Sequence, residues 1–108
     1  MPLQILLENG LCKPLIVCDY CEKEIETAED GCYAHDMNVE GFQTIYFFHR
    51  GECFATFLEL NPCSSGPCWG DDQLDALLVY LSHNLKMDWE EARAYVEMNR
   101  MINRMIGP

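Results

Sequence analysis

The chain has 108 residues, 18 acidic against 7 basic, a formal net charge of −11, and 7 cysteines. That is one domain's length, and its acidic balance lacks the basic footprint that direct DNA or RNA binding requires. An odd cysteine count behind a start, "MPLQILLENG", without a signal-peptide pattern points away from a secreted disulfide framework. The expectation is a cytoplasmic protein with reduced thiols, some holding a metal.

In chain order, residues 3 to 17 read as a β-hairpin. "LQILL" and "LIV" are apolar runs with Asn9-Gly10 as the turn between them, and Pro14 makes the second run an edge or interrupted strand. The knuckle "CDYC" follows, then the acidic link "EKEIETAEDG". Residues 31 to 38 and 42 to 48 are two further strand candidates, rich in aromatic and β-branched residues, joined by a turn at Val39, Glu40 and Gly41. The second leads into a helix in which Phe54, Phe57 and Leu58 recur at helical spacing until Asn61-Pro62. Residues 61 to 70, "NPCSSGPCWG", read as a loop between two halves of a single domain, 1–60 and 71–106. Helix signals resume at Asp71-Asp72 with a stripe of Leu74, Leu77, Leu78, Leu81 and Leu85. After a break at Lys86-Met87, Asp88 and Glu91 form a capping box for a last helix from about Trp89 to Ile106. No internal repeat or low-complexity tract and no run of about 18 apolar residues, the length of a membrane span, interrupts this order.

Cys18 and Cys21 supply one edge of a tetrahedral metal site. Two pairs compete for the other edge. Cys32 and His35 lie three apart on a strand and point to opposite faces. His49 and Cys53 lie four apart where a helix begins, and so share a face. The set becomes Cys18, Cys21, His49 and Cys53, a C-x2-C-x27-H-x3-C pattern, with replacement of one ligand by Cys32 or His35 left open. Knuckle, two strands and helix in this order resemble the treble-clef zinc finger over residues 16–60. "CDYCEKEIETAEDGCYAH" and "IYFFHRGEC" are similar to a group of small bacterial zinc-finger proteins. The second ligand pair departs from the usual clef spacing of two by one residue.

The resemblance over residues 16–60, joined to the helix signals of residues 71–106, gives the expected fold: α+β, a treble-clef-like β-hairpin and helix unit packed with a C-terminal two-helix hairpin. Three thiolates and one imidazole leave no open coordination position, so the implied zinc is structural and the chain is not expected to be an enzyme. Of the remaining cysteines, Cys12 and Cys32 are expected in the core. Cys63 and Cys68 flank "SSGP" and are open to a disulfide or a thiol switch. His35 is expected on a strand surface and His83 beside the leucine stripe. On the last helix, Arg93, Glu97, Arg100 and Arg104 share a narrow polar arc with Glu90 beside it, and apolar residues cover most of the remaining circumference. One apolar side is expected on the leucine stripe. The other is expected on a protein partner or a second copy, through Trp89, Tyr95, Met98, Ile102 and Met105, unless the zinc-binding half covers it. The leading function is a non-catalytic structural-zinc interaction or regulatory module. The alternatives are an acidic regulator or DNA mimic on a basic nucleic-acid-binding protein, and a thiol-based enzyme or redox sensor. Ten acidic against two basic residues between 18 and 60 sustain the former alternative.

Overall fold

The computed structural model describes residues 3–62 and 69–102, with side chains through residue 98. Its described part is mixed α+β, with two small antiparallel sheets, three α-helices and one 3-10 turn.

The first sheet is the expected hairpin. Strands β1 (Leu3–Glu8) and β2 (Leu11–Ile16) pair antiparallel with Leu3 opposite Ile16 and Glu8 opposite Leu11. Asn9 and Gly10 both have positive φ, 54° and 75°, as a tight two-residue hairpin turn demands. Pro14 is tolerated because β2 is an edge strand. Every residue of β1 is exposed, Leu3, Ile5 and Leu7 included.

The chain then folds back on itself. Val17 bridges Glu24, and the amide of Ile25 donates to Ile16 O at 2.8 Å, closing a tight loop around "CDYC". A 3-10 turn over Ala28–Asp30, capped by the Thr27 hydroxyl, carries the chain into the second sheet. That sheet has the order β4-β3-β5, with β3 (Gly31–Asp36) central. Strand β4 (Ile45–His49) pairs with it antiparallel, Gly31 opposite His49 and His35 opposite Ile45.

Two expectations are corrected here. The fourth strand starts at Ile45 rather than at residue 42, and Phe42 stands fully exposed. Trp69–Gln73, read as loop and helix start, is a fifth strand, β5, paired antiparallel with β3 so that Cys32 faces Gln73 and Asp36 faces Trp69. Its Asp71 and Asp72 are poor strand formers. The open edge of β3 supplies hydrogen-bond partners that outweigh that propensity.

Helix α1 (Glu52–Leu60) lies on one face of this sheet. Phe57 packs tilted on Phe48 at 4.5 Å between ring centroids, meets Trp69 edge-on at 5.1 Å and approaches Tyr46 at 6.0 Å. It ends at Asn61, whose amide and side chain both donate to Phe57 O, just before Pro62. Helix α2 (Leu74–Asn84) packs near β3 and the 3-10 turn. Gly31 is needed there, since a Cβ on it would sit 2.8 Å from Leu74 Cδ2 and 3.0 Å from Ile25 Cγ2. The core formed by Cys18, Ile25, Cys32, Ala34, Phe47, Phe48 and Leu74 thus joins knuckle, sheet and helix. Cys32 is in it, as expected; Cys12 is only half-buried and lies outside it.

Asp88 caps α3 (Trp89–Ile102) as expected, Glu91 N donating to Asp88 Oδ1 at 3.1 Å, the Asp88 half of the expected capping box. The packing expected of α3 does not form. Only Leu74 and Leu77 of the leucine stripe reach the core, while Leu78, Leu81 and Leu85 are exposed. On α3, Trp89, Tyr95, Val96 and Met98 are exposed as well, so its apolar side is not laid on the stripe. The expected continuation of this helix to Ile106 and the fate of Met105 lie outside the described residues. No helix among them is long and apolar enough to cross a membrane.

Candidate metal centre

The four proposed ligands are delivered by three pieces of local structure. Cys18 and Cys21 sit on the loop closed by Cys18 N donating to Lys23 O at 2.9 Å and Glu22 N to Cys18 O at 3.0 Å. Glu22 takes a positive φ of 63°, which lets so short a loop reverse. His49 is the last residue of β4 and Cys53 lies in the first turn of α1. Gly51 joins them at φ 89°, a conformation that glycine adopts without strain.

These four side chains converge. The sulfurs of Cys18, Cys21 and Cys53 and a ring nitrogen of His49 all lie within 4.8 Å of one another, a group able to hold a metal ion. Cys21 Sγ is 3.3 Å and Cys53 Sγ 3.8 Å from His49 Nδ1. In a tetrahedron with bonds of about 2.3 Å to sulfur and about 2.0–2.1 Å to nitrogen, those atoms would stand about 3.6 Å apart. The observed separations bracket that value. Cys18 is fully buried and the other three are half-buried. Among the described residues no other group of three or more histidine, cysteine or carboxylate side chains converges in this way.

The surroundings prepare the donors. His49 Nε2 donates to Glu24 O at 2.9 Å, which fixes the tautomer and leaves the Nδ1 lone pair facing the sulfurs. Metal-ligating histidines are oriented by this kind of second hydrogen bond. Burial disfavours the histidine's charge, but the Glu24 carbonyl and the adjacent Cys18 outweigh it and raise its pKa. Burial would likewise raise the Cys18 thiol, yet donation from the Cys21, His49 and Tyr20 N–H groups brings it down to about 7. The Tyr20 amide is 3.4 Å from that sulfur. Cys53 is pushed up to about 12, by burial first and then by the negative charge of Cys18 and hydrogen bonds to Cys21 and Cys18. Protons and a cation therefore compete for the same pocket, since a bound metal requires the thiolates.

Asp19, between the two knuckle cysteines, has a part that its sequence position does not disclose. Its amide donates to Phe47 O at 2.7 Å, and its carboxylate accepts from Phe47 N at 2.8 Å. It thereby occupies the outer edge of β4 and locks the knuckle beside the strand that carries His49. A carboxylate between two cysteines is the only hint in the sequence, and the Glu24 carbonyl, being backbone, leaves none.

The competing pair is not brought to the site. Cys32 is buried in the core, its thiol raised to about 11 by burial and the nearby Asp71. His35 Nδ1 donates to Gln43 Oε1 at 2.7 Å, and its ring lies against Gly70. His83 is exposed on α2, and Cys63 and Cys68 lie outside the described residues. Comparison with family models, with curated proteins and with solved structures returns no match.

Proposed function

We propose that this chain is a non-catalytic structural-zinc protein whose residues 16–60 form a treble-clef unit and whose C-terminal helices serve protein–protein interaction. One observation carries the reading: three thiol sulfurs and an oriented imidazole nitrogen converge between a knuckle and a helix start. Soft, four-donor sets of this kind suit zinc. Cys18, Cys21, His49 and Cys53 would hold the ion, which would tie the knuckle to β4 and α1. With four protein ligands no position remains for water or substrate, so the role is cohesion rather than chemistry. Structural zinc of this type contributes on the order of 10 kcal/mol apparent toward folding.

Native mass spectrometry of the purified chain tests the proposal, reading metal and chain stoichiometry together. The expected result is one zinc per wild-type chain, and loss of both the metal and the cooperative thermal transition in Cys53→Ser. A metal-free chain that still unfolds cooperatively would overturn it.

A second reading rests on charge. Ten acidic residues against two basic between positions 18 and 60 favour an acidic regulator that meets a basic nucleic-acid-binding protein. Binding of such a partner that weakens steeply with added salt would favour that reading.

A further inference from the structure

The exposed face of α3 carries a pattern that names its own partner. Trp89, Ala92 and Val96 fall at i, i+3 and i+7, and with Met87, Arg93 and Glu97 they line a groove of about 270 Å³ at the break between α2 and α3. Trp89 and Val96 are each 53% exposed, so the single chain leaves this line uncovered. Arg93 and Glu97 flank it one turn apart, on the same side of the helix. Among the described residues the one ion pair is Lys13–Glu24, so Arg93 is not engaged by Glu90 or Glu97 of its own helix.

We infer that a second copy of this chain covers this face, the two α3 helices lying antiparallel across a twofold axis near the level of Tyr95. In that arrangement Arg93 stands level with the partner's Glu97 and Glu97 with the partner's Arg93. Glu90 stands level with the partner's Arg100. A parallel arrangement would place the two copies' Arg93, and likewise their Glu97, on opposite sides of the seam, so that neither meets the other's opposite charge. Only the antiparallel one turns the charge sequence of the helix into reciprocal attraction, as an isologous interface requires.

The distribution of charge also favours a like partner. Within α3 stand three acidic residues, Glu90, Glu91 and Glu97, and two basic, Arg93 and Arg100. A net −1 there leaves −10 of the chain's −11 outside the helix. Two copies repel each other least when they meet through α3, whereas a basic partner would be drawn to the remaining surface. A 14-residue helix offers about four turns of contact, the small end of specific interfaces, so the dimer is expected at micromolar rather than nanomolar dissociation constants.

This inference rests on the interaction role proposed above, and one set of measurements separates the two. Sedimentation of the full-length chain as purified, from low to high micromolar concentration, gives its dissociation constant. Arg93→Glu and Glu97→Arg are each expected to raise it at least about tenfold, and the Arg93→Glu/Glu97→Arg double variant to restore it. An equimolar mixture of the two single variants is expected to form the heterodimer, resolved by mass, because each then supplies the charges the other lacks. A wild-type chain that stays monomeric at high micromolar concentration overturns the inference. So do single variants that dimerise like wild type, and a mixture in which no heterodimer forms. The same native mass spectra read the metal. A zinc-loaded monomer would reject the dimer and leave the zinc unit standing, while a metal-free folded dimer would do the reverse.

Discussion

His49 shows how much of a candidate metal site is decided outside its ligands. Its ring is held by a backbone carbonyl on one side and faces three sulfurs on the other, so the same residue is anchored and poised. The cysteines separate by environment in the same way. Cys32, buried between strands and beside Asp71, has a thiol at about 11 and is expected to be inert. At pH 8 its thiolate fraction is lower than that of an ordinary cysteine by about two orders of magnitude, before burial slows access further. Iodoacetamide labelling of the folded protein, followed by peptide mass spectrometry, should modify half-buried Cys12 and leave Cys32 unlabelled. Rapid labelling of Cys32 would show that the β3 core opens readily.

Among the elements, β5 has the most to lose from a single atom. Gly70 lies opposite His35, and a Cβ there would fall 2.5 Å from the histidine ring atoms Cε1 and Nε2. The ring cannot retreat freely, since its Nδ1 is tied to Gln43, which in turn donates to Val39 O at 2.7 Å. Gly70→Ala is therefore expected to destabilise the protein by about 1–3 kcal/mol in urea unfolding, the usual cost of overpacking. Adding His35→Ala should recover part of that loss, a non-additivity that locates the strain between these two residues. Additive losses would place the effect of Gly70→Ala elsewhere in β5.

For the molecule as a whole, folding and metal binding are one equilibrium if the proposed zinc is present, and acid should act on it with a definite sign. The bound state needs thiolates, so affinity falls as pH falls. With Cys53 pushed up to about 12, its proton must be displaced throughout the neutral range, which by itself makes the loss of affinity at least tenfold per pH unit. Below about 7 the Cys18 proton adds a second factor of ten per unit. Transfer of zinc to a chromophoric chelator, followed from pH 8 to pH 5, should therefore steepen near pH 7 and coincide with loss of the folded signal. Release that is independent of pH would argue against thiolate ligation. The exposed faces of β1 and α3 add that the single chain does not bury all the apolar surface its sequence carries.

What was legible in the sequence was local. The Asn9-Gly10 hairpin, the Asp88 cap, the stop at Asn61-Pro62 and the spacing within each ligand pair, "CDYC" and His49 with Cys53, depend on residues a few positions apart, whereas the meeting of the two pairs across 28 positions followed from ligand chemistry. Turn chemistry, capping and ligand spacing act over that range, so the residue order alone states them. Tertiary structure decided the rest. β5 exists because β3 had a free edge to complete, against the propensity of Asp71 and Asp72. Asp19 reaches Phe47 across 28 positions, and of the leucine stripe only Leu74 and Leu77 meet the core. Each of these depends on which surfaces meet, and on how much apolar area remains once they have met; a one-dimensional pattern holds neither quantity.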